Sequence, residues 1–203
     1  MSVAYWRARA REHGPRAVIS LDHPADADLG AVTAGHRGAL LPLLAALLRG
    51  GEGLVCDLGC GTGRFTADLA ELAGGRAIGV DPVPELLALA LPGPRVDFRL
   101  LGDDGRIPLD EDEAGVVFTS LVLGGLVAPG ALAATAAEVR RVLAPGGLLF
   151  LAESVSAGPG PPHWRPRTAQ DYRAAFPWAA LEEVASFDDA GDHVAVLAGR
   201  AGA

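Results

Sequence analysis

The most constraining feature of this sequence is an apolar run that enters a glycine-rich turn and continues into a helical pattern. Leu54–Leu58 is followed by Gly59–Gly63, which reads GCGTG, and then by Phe65, Leu69 and Leu72 at the spacing of one helix face. Glycines permit a tight turn and let a ligand approach the backbone, and the free N–H groups at a helix start point toward such a ligand. The pattern predicts a strand, a ligand-binding turn and a helix.

The rest of the chain alternates short apolar runs with helical patterns. Further strands are predicted at 77–80, 96–101, 116–120 and 148–152, and helices at 3–13, 28–48, 63–73, 131–143 and 168–176, with one more starting at Pro84. Strands separated by helices at this spacing indicate a parallel sheet with helices on both faces. We expect Ala144–Gly147, which reads APGG, to end the helix before the fifth strand.

The carboxyl-terminal region follows a different pattern. Predicted strands at 181–187 and 194–198 are joined by DDAGD, a hairpin-like turn. The predicted fold class is therefore α/β: a doubly wound, mostly parallel seven-stranded sheet with a carboxyl-terminal antiparallel strand. Ligands in such sheets bind beyond the carboxyl ends of the strands.

Composition excludes several classes of protein. All 17 basic residues are arginine, and the sequence contains neither lysine nor asparagine. Schiff-base enzymes and lysine-containing phosphate loops are excluded, and no N-glycosylation acceptor exists. The net charge of −8 argues against a nucleic-acid partner. Arg7, Arg9 and Arg11 form the densest basic group, which we interpret as the solvent face of the first helix.

Two further observations concern location. Residues 114–137 carry no charge, but Gly124-Gly125 and Pro129-Gly130 interrupt them, so we predict a strand, a loop and a helix, and no membrane partner. The arginine-rich amino terminus lacks the apolar stretch of a secretory signal. The two cysteines form neither a disulfide framework nor a zinc pattern, and we expect a cytoplasmic protein.

Acidic residues follow three successive strands of the predicted sheet. Asp57 lies within the glycine motif, Asp81 ends the next strand, and Asp103 comes just past the third. Carboxyl ends of parallel strands meet at one edge, and an acid after the second strand is suited to accept both hydroxyls of a ribose. The sequence predicts an acidic ligand site at this edge.

These segments together resemble a known family. VCDLGCGTGRFTADLA, IGVDPVPELLALA, LLGDDGRIPL and RRVLAPGGLLFLAES are similar, in order and spacing, to the successive motifs of the class I S-adenosylmethionine-dependent methyltransferases. The resemblance covers residues 54–154 and implies S-adenosyl-L-methionine as cofactor. We accordingly predict a single domain over 1–203, with a helical lid and substrate segment at 1–50, a cofactor-binding core at 51–153, and an acceptor loop with hairpin at 154–203.

The resemblance also implies roles for individual residues. Gly59, Gly61 and Gly63 would face the methionine moiety of the cofactor. Asp57 would face its ammonium group, Asp81 its ribose hydroxyls and Asp103 its adenine amine. We further assign to the cofactor site Cys60, Pro82, Asp104 and Ser120. Two of these have plain alternatives, because Cys60 also suits a small buried filler and Asp104 a turn.

The loop after the fourth strand departs from several branches of the family. Leu123-Gly124-Gly125-Leu126 offers no acid, base or metal ligand, and the DNA amine motif and the cysteine of cytosine enzymes are missing there. The glutamate pair of protein-arginine enzymes and the acids of the metal-dependent catechol type are also absent. What the resemblance leaves is metal-independent methyl transfer to a small-molecule or peptide acceptor.

Candidate acceptor residues lie outside the resembling segment. We predict catalytic roles for His163, Arg167 and Tyr5, with Trp164 and Trp6 as pocket walls, and with the segment 14–18 reaching over the cofactor as a lid. Simple anchoring of the tryptophans is an equally good interpretation. The sequence does not choose among nitrogen, oxygen and carbon acceptors, nor does it give the oligomeric state.

Two rival functions are weighed against methyl transfer. A nicotinamide-dependent oxidoreductase would share the glycine turn and the ribose acid, but its GxGxxG motif needs glycine where Arg64 stands, and its Tyr-x-x-x-Lys pair needs lysine. A cofactor-binding module without transfer activity, or a non-methylating enzyme on the same fold, remains open. The loop after the fourth strand contains no recognisable catalytic group whose presence would exclude this alternative.

Overall fold

The computed structural model of this protein describes residues 3–20 and 22–202; residues 1, 2, 21 and 203 of the predicted domain lie outside the described part. Its centre is a seven-stranded sheet in the order β3-β2-β1-β4-β5-β7-β6. The strands are β1 Leu54–Leu58, β2 Arg76–Asp81, β3 Val96–Leu100, β4 Ala114–Ser120, β5 Leu143–Ser154, β6 Glu182–Asp189 and β7 Asp192–Arg200. The first five pair in parallel, and β7 is antiparallel to both β5 and β6. The predicted fold class is confirmed.

The helices lie close to their predicted positions. They are α1 Val3–His13, α2 Leu29–Leu47, α3 Thr66–Leu72, α4 Pro84–Leu87, α5 Ala131–Val142 and α6 Ala169–Ala175, with short 3₁₀ segments at Gly14–Val18, Leu123–Gly125 and Pro177–Ala179. Asp28 caps α2 by accepting a hydrogen bond from the Ala31 N–H. Helix α3 starts at Thr66, after the predicted Gly63, because Gly63 has a left-handed φ of 76° that a helix cannot contain.

The expectation that Ala144–Gly147 separates a helix from a strand is wrong. Strand β5 begins at Leu143, directly after α5, and includes the whole APGG segment. The Gly146 N–H donates to the Ala201 carbonyl and the Ala201 N–H to the Gly147 carbonyl, so these turn-forming residues are paired with the end of the chain. The register against β4 shifts between Ala114 and Val116. Long-range pairing overrides the local turn preference and makes an irregular strand start.

Helices cover both faces of the sheet. One face packs on α5 and α6, through buried Val139 and Tyr172, and the other packs on α2 and α3, through buried Leu40 and Leu69. Because both faces are covered, strand side chains of both orientations are buried. This is why β1, β4 and β5 read as continuous apolar runs in the sequence.

The strand order positions the site. From β1 the sheet extends to β2 and β3 on one side and to β4 and β5 on the other, so the side on which the chain adds strands changes between β1 and β4, although these two strands are parallel. A crevice forms at such a point beyond the carboxyl ends of the strands. Among the described residues, no helix is both long and apolar enough to cross a membrane.

Candidate active site

A cavity of about 490 Å³ lies at the carboxyl edge of the sheet, over the crevice between β1 and β4. Four regions line it: the ends of β1, β2 and β4, the inner side of α1, the covering segment (residues 14–20) and the loop 156–166. Asp189 and Asp192 of the β6–β7 hairpin complete the rim. Its volume falls in the ordinary range for small-ligand sites.

The glycine turn after β1 is tied to the end of β2. The Gly59 N–H donates to the Val80 carbonyl over 2.7 Å, and the Gly61 N–H donates to Asp81 Oδ2 over 2.9 Å. Gly59 and Gly61 have left-handed φ values of 75° and 57°. A Cβ on Gly61 would lie 2.7 Å from Val18 Cγ1, so the covering segment sits directly on this turn. Glycine is required here for conformation and for space.

Asp81 is the best-defined acid of the site. Its Oδ1 accepts a hydrogen bond from the Val83 N–H over 2.8 Å, its Oδ2 accepts the one from Gly61, and the residue is only 6% exposed. Burial raises the pKa of this carboxyl to about 6, although both N–H bonds oppose the rise. The two hydrogen bonds therefore hold this carboxyl group in place at the cavity wall. Its ionisation costs free energy unless a ligand stabilises the negative charge.

Asp57 lies next to the same turn. Its Oδ2 accepts a hydrogen bond from Thr66 Oγ1 over 2.6 Å, and the residue is buried. Burial raises the pKa of Asp57 to about 7, against the opposing effects of the Thr66 bond and of the Arg64 charge. Across residues 3–20 and 22–202, no arginine or histidine forms a salt bridge with Asp57 or Asp81. Two buried acids without cationic partners suit a ligand that carries positive charge.

The other residues predicted for the cofactor divide into two groups. Cys60 and Ser120 line the cavity, and burial raises the pKa of the Cys60 thiol, as expected of a buried filler. Gly63, Pro82, Asp103 and Asp104 do not line it. Asp103 and Asp104 are exposed, and Asp104 Oδ1 accepts from the Arg106 N–H, which is the turn role considered for it. Their cofactor contacts stay predictions.

Aromatic rings form the opposite end of the cavity. His163 stacks on Tyr5 with ring centroids 3.9 Å apart, and Trp6 meets both rings edge-on. Burial, together with the nearby Arg9 charge, lowers the pKa of His163, so its imidazole is neutral near pH 7 and able to accept a proton. The structure thus brings the two predicted acceptor walls, α1 and the 156–166 loop, into direct contact.

Arg167 lies elsewhere than we expected. Its guanidinium is buried and donates to the carbonyls of Leu123 and Leu126, both over 2.6 Å, and it does not line the cavity. A guanidinium engaged by two carbonyls cannot deprotonate or steer an acceptor. Arg167 instead stabilises the loop after β4 through these two hydrogen bonds, and the geometry does not support its predicted catalytic role.

Two arginines hold the covering segment over the cavity, and sequence reasoning missed both. Arg9 donates through Nε to the Ala17 carbonyl and through Nη2 to the Ile19 carbonyl, and Arg64 donates to the Val18 carbonyl over 3.1 Å. Arg9 is 8% exposed, so the interpretation of its helix face as solvent-facing is wrong for this residue. Side-chain bonds to backbone carbonyls leave no trace in residue patterns, so no sequence signal was present.

A second missed group joins the amino-terminal region to the hairpin. His23 Nε2 and His36 Nε2 lie 2.7 and 2.8 Å from the same oxygen, Asp189 Oδ1. Arg64 Nη1 lies 3.3 Å from His36 Nδ1, and because an arginine only donates, that nitrogen must carry the lone pair and Nε2 the proton. A histidine that binds a metal through one ring nitrogen usually donates the N–H of the other to an acceptor. In His36 the second nitrogen faces the donor Arg64 instead, so although the three side chains are close enough together for an ion, the arrangement favours a hydrogen-bonded anchor.

Comparison with known proteins also indicates a methyltransferase. A family model described as "Methyltransferase domain" matches residues 55–147. An uncharacterized methyltransferase of Mycobacterium tuberculosis is 37% identical over 97 residues, which are 48% of this chain and 38% of the relative. A malonyl-[acyl-carrier protein] O-methyltransferase of Serratia marcescens is 36% identical over 108 residues, or 53% of this chain and 40% of the relative. The chain thus spans about two fifths of the length of these curated relatives.

Solved structures share the fold at lower identity. A SAM-dependent methyltransferase from Aquifex aeolicus superposes with a TM-score of 0.62 at 18% identity, covering 85% of this chain and 98% of that one. Haemonchus contortus phosphoethanolamine N-methyltransferase 1, solved with phosphoethanolamine and S-adenosylhomocysteine, gives a TM-score of 0.70 at 18% identity, covering 98% of this chain and 48% of that one. At these identities the likeness concerns the fold alone.

Proposed function

We propose that this chain, which belongs to the class I S-adenosylmethionine-dependent methyltransferase family, transfers the methyl group of S-adenosyl-L-methionine to a small-molecule or peptide acceptor without a metal ion. The observation that carries the proposal is the pair of buried acids beside the glycine turn. Asp57 and Asp81 line the cavity, form no salt bridge among the described residues, and lie where the family motifs place the cofactor. A cytoplasmic location is part of this proposal.

The residues present fit the cofactor. Asp81 offers two carboxylate oxygens at the end of β2 for the ribose hydroxyls, and Asp57 offers a negative charge for the ammonium group. Gly59 and Gly61 leave the backbone open to close approach. When bound, the cofactor supplies an electrophilic methyl group on a sulfonium. A ligand of this charge would remove the cost of ionising the two buried carboxyls.

What the protein must then contribute is alignment and exclusion of water. Methyl transfer from a sulfonium is an in-line displacement that disperses positive charge, so orientation matters more than acid or base groups. Arg9 and Arg64 keep the covering segment over the cavity. Tyr5, Trp6 and Trp164 give the acceptor end flat apolar walls. These residues hold the acceptor against the cofactor side and shield it from solvent.

His163 is the group placed to handle a proton. Its neutral imidazole lines the cavity, and its pKa is lowered by burial and by Arg9. For a hydroxyl or neutral amine acceptor, this nitrogen can take the proton that the acceptor loses on methylation, while the cofactor sulfur leaves as a thioether. The relatives named above act on a carboxyl-bearing and an amine-bearing molecule, so they leave the acceptor atom open.

The test is calorimetric titration of the purified chain with S-adenosylmethionine, S-adenosylhomocysteine and NAD. We expect micromolar binding of the first two and none of NAD, with a stabilisation of about 2.7 kcal/mol at a hundredfold excess over Kd. Binding of NAD without binding of S-adenosylmethionine would overturn the proposal. A mass-spectrometric screen with isotope-labelled cofactor and matched aromatic amines, phenols and carboxylates then identifies an acceptor probe.

A further inference from the structure

The short turn Leu123–Gly125, which follows β4, is held from two directions, by an acidic and a basic side chain. The Glu153 carboxylate, which is fully buried, accepts hydrogen bonds from the Val122 and Leu123 N–H groups, each over 3.1 Å, and from Thr119 Oγ1 over 2.9 Å. The Arg167 guanidinium donates to the Leu123 and Leu126 carbonyls. Glu153 thus accepts hydrogen bonds from the N–H groups of the turn, and Arg167 donates hydrogen bonds to its carbonyls. We call this pair the acceptor-side clamp.

The clamped turn lies between the two halves of the cavity. On one side, a Cβ on Gly59 would meet Val122 Cγ2 at 2.3 Å, so Val122 packs directly on the glycine turn of the cofactor half. On the other side, a Cβ on Gly124 would meet Trp164 Cζ2 at 2.1 Å. The Arg165 N–H also donates to the Gly124 carbonyl over 2.8 Å. The position of Trp164 relative to the glycine turn therefore depends on the turn after β4.

We propose that Glu153 and Arg167 are positioning residues for methyl transfer, which fix the distance between the cofactor turn and the Trp164 wall against which the acceptor lies. This inference rests on the proposed function. Neither side chain lines the cavity, so both act through the backbone of residues 122–126. In an in-line methyl transfer, a shift of about an ångström in the position of one reactant is enough to lower the rate by a large factor.

Charge and shape make both residues hard to replace. A glutamine at 153 would turn one acceptor oxygen into an N–H₂ group, which cannot accept from Val122 or Leu123, and a buried N–H would lose its partner. A lysine at 167 keeps the positive charge but lacks the planar fork that reaches two carbonyls at once. Each substitution changes the clamp while preserving most of the side-chain volume.

The chain contains a matched control. The Glu138 carboxylate accepts from the Ile107 N–H over 2.9 Å, and Arg141 donates to the Ile107 and Leu109 carbonyls, both over 2.8 Å. This second Glu–Arg clamp holds a loop before β4, and none of its residues lines the cavity. It uses the same two residue types on N–H and carbonyl groups of a loop away from the cavity, with the difference that Glu138 and Arg141 also form a salt bridge over 2.7 Å.

The test introduces Glu153→Gln and Arg167→Lys, with Glu138→Gln and Arg141→Lys as controls, in protein labelled with 5-fluorotryptophan. The three tryptophans, Trp6, Trp164 and Trp178, give ¹⁹F resonances that single Trp→Phe variants assign. We expect the first two variants to shift or broaden the Trp164 resonance and the controls to leave it unchanged. With the acceptor probe, kcat should fall about tenfold in the first pair, while the Kd for S-adenosylhomocysteine stays within about threefold.

An unchanged Trp164 resonance in Glu153→Gln, or an equal change in Glu138→Gln, would overturn the inference. If Glu153→Gln does not fold, Gly124→Ala tests the same link, because its added methyl pushes on Trp164 without touching either charge. Failure of the parent chain to bind S-adenosylhomocysteine would instead refute the proposed function. The resonance comparison needs neither cofactor nor acceptor, so the two failures are distinguishable.

Discussion

The two halves of the cavity are built in different ways. The half that we assign to the cofactor comes from neighbouring strand ends, where the Gly59 N–H donates to Val80 and the Gly61 N–H to Asp81, all between residues 59 and 81. The half that we assign to the acceptor comes from α1, the covering segment, the loop 156–166 and the β6–β7 hairpin, which are distant in sequence. Side chains such as Arg9 and Arg167 hold it together. The first half is encoded locally, whereas the second exists only after the chain has folded.

This difference separates binding from chemistry. Under the proposed function, the cofactor half offers fixed acids and open backbone, which would determine affinity for a charged ligand. The acceptor half offers rings held by long-range hydrogen bonds, which would determine alignment and access. Substitutions in the two halves should therefore affect different measured quantities, and the following changes test that separation.

The largest effect is expected from Asp81→Ala. The substitution removes the predicted acceptor of both ribose hydroxyls and leaves the Gly61 and Val83 N–H groups without their partner. Hydrogen bonds to charged groups contribute about 1.5–3 kcal/mol each, so the Kd for S-adenosylmethionine should rise about tenfold to a hundredfold. Calorimetry measures this. Asp104→Ala, at an exposed turn acid, should raise Kd far less than Asp81→Ala does; equal small effects of both would contradict the assignment of Asp81.

His163→Ala should affect turnover and spare cofactor affinity. The substitution removes the ring that stacks on Tyr5 and the only neutral base we assign to the acceptor end. We expect kcat with the acceptor probe to fall about tenfold while the cofactor Kd is unchanged, as for an interaction made with the acceptor or in the transition state. His193→Ala, at an exposed histidine outside the cavity, is the control. A rise in cofactor Kd in His163→Ala would break the separation between the halves.

Cofactor affinity should weaken on acidification. Burial raises the pKa of Asp81 to about 6, so the carboxylate takes up a proton as the pH falls through that value and loses the charge that favours the ligand. Between pH 8 and pH 5.5, Kd should rise about fourfold from Asp81 alone. In the free protein the sign is reversed, since stability falls as the pH rises through about 6 and a buried carboxyl is forced to ionise. Titrations of Asp81→Asn should lack the Asp81 share of this pH dependence.

The smallest effect is expected where the halves touch at the surface. Arg7 and Arg11 of α1 contact Glu85 of α4 at 3.0 and 2.7 Å. Exposed ion pairs contribute little and are screened by salt, so Glu85→Gln should change turnover and cofactor Kd by less than about twofold. Parallel assays at low and high salt check this. A large loss of turnover would mean that α1 depends on this ion pair more than on the buried Arg9.

Sequence reasoning succeeded where structure is local and failed where it is not. The apolar runs of β1 and β4, the glycine turn and the Pro84 helix start depend on neighbouring residues, and their positions agree with the sequence. The start of β5 at Leu143 depends on pairing with Ala201, which no local pattern contains. The residues next to Arg167 favour a role in the acceptor site, because none of them shows that two carbonyls more than forty residues earlier accept hydrogen bonds from its guanidinium.

Because β7 runs against β5, the hairpin that precedes it rises beside the cavity and brings Asp189 and Asp192 to the rim. Its connection consists of Ala190 and Gly191, both with left-handed φ values, which is the shortest common link between antiparallel strands. Extra residues inserted there would lie next to the rim residues Asp189 and Asp192 and would leave the pairing of β5 with β7 in place. Under the proposed function, the length of this single turn is a feature through which acceptor choice could change while the glycine turn and Asp81 stay the same.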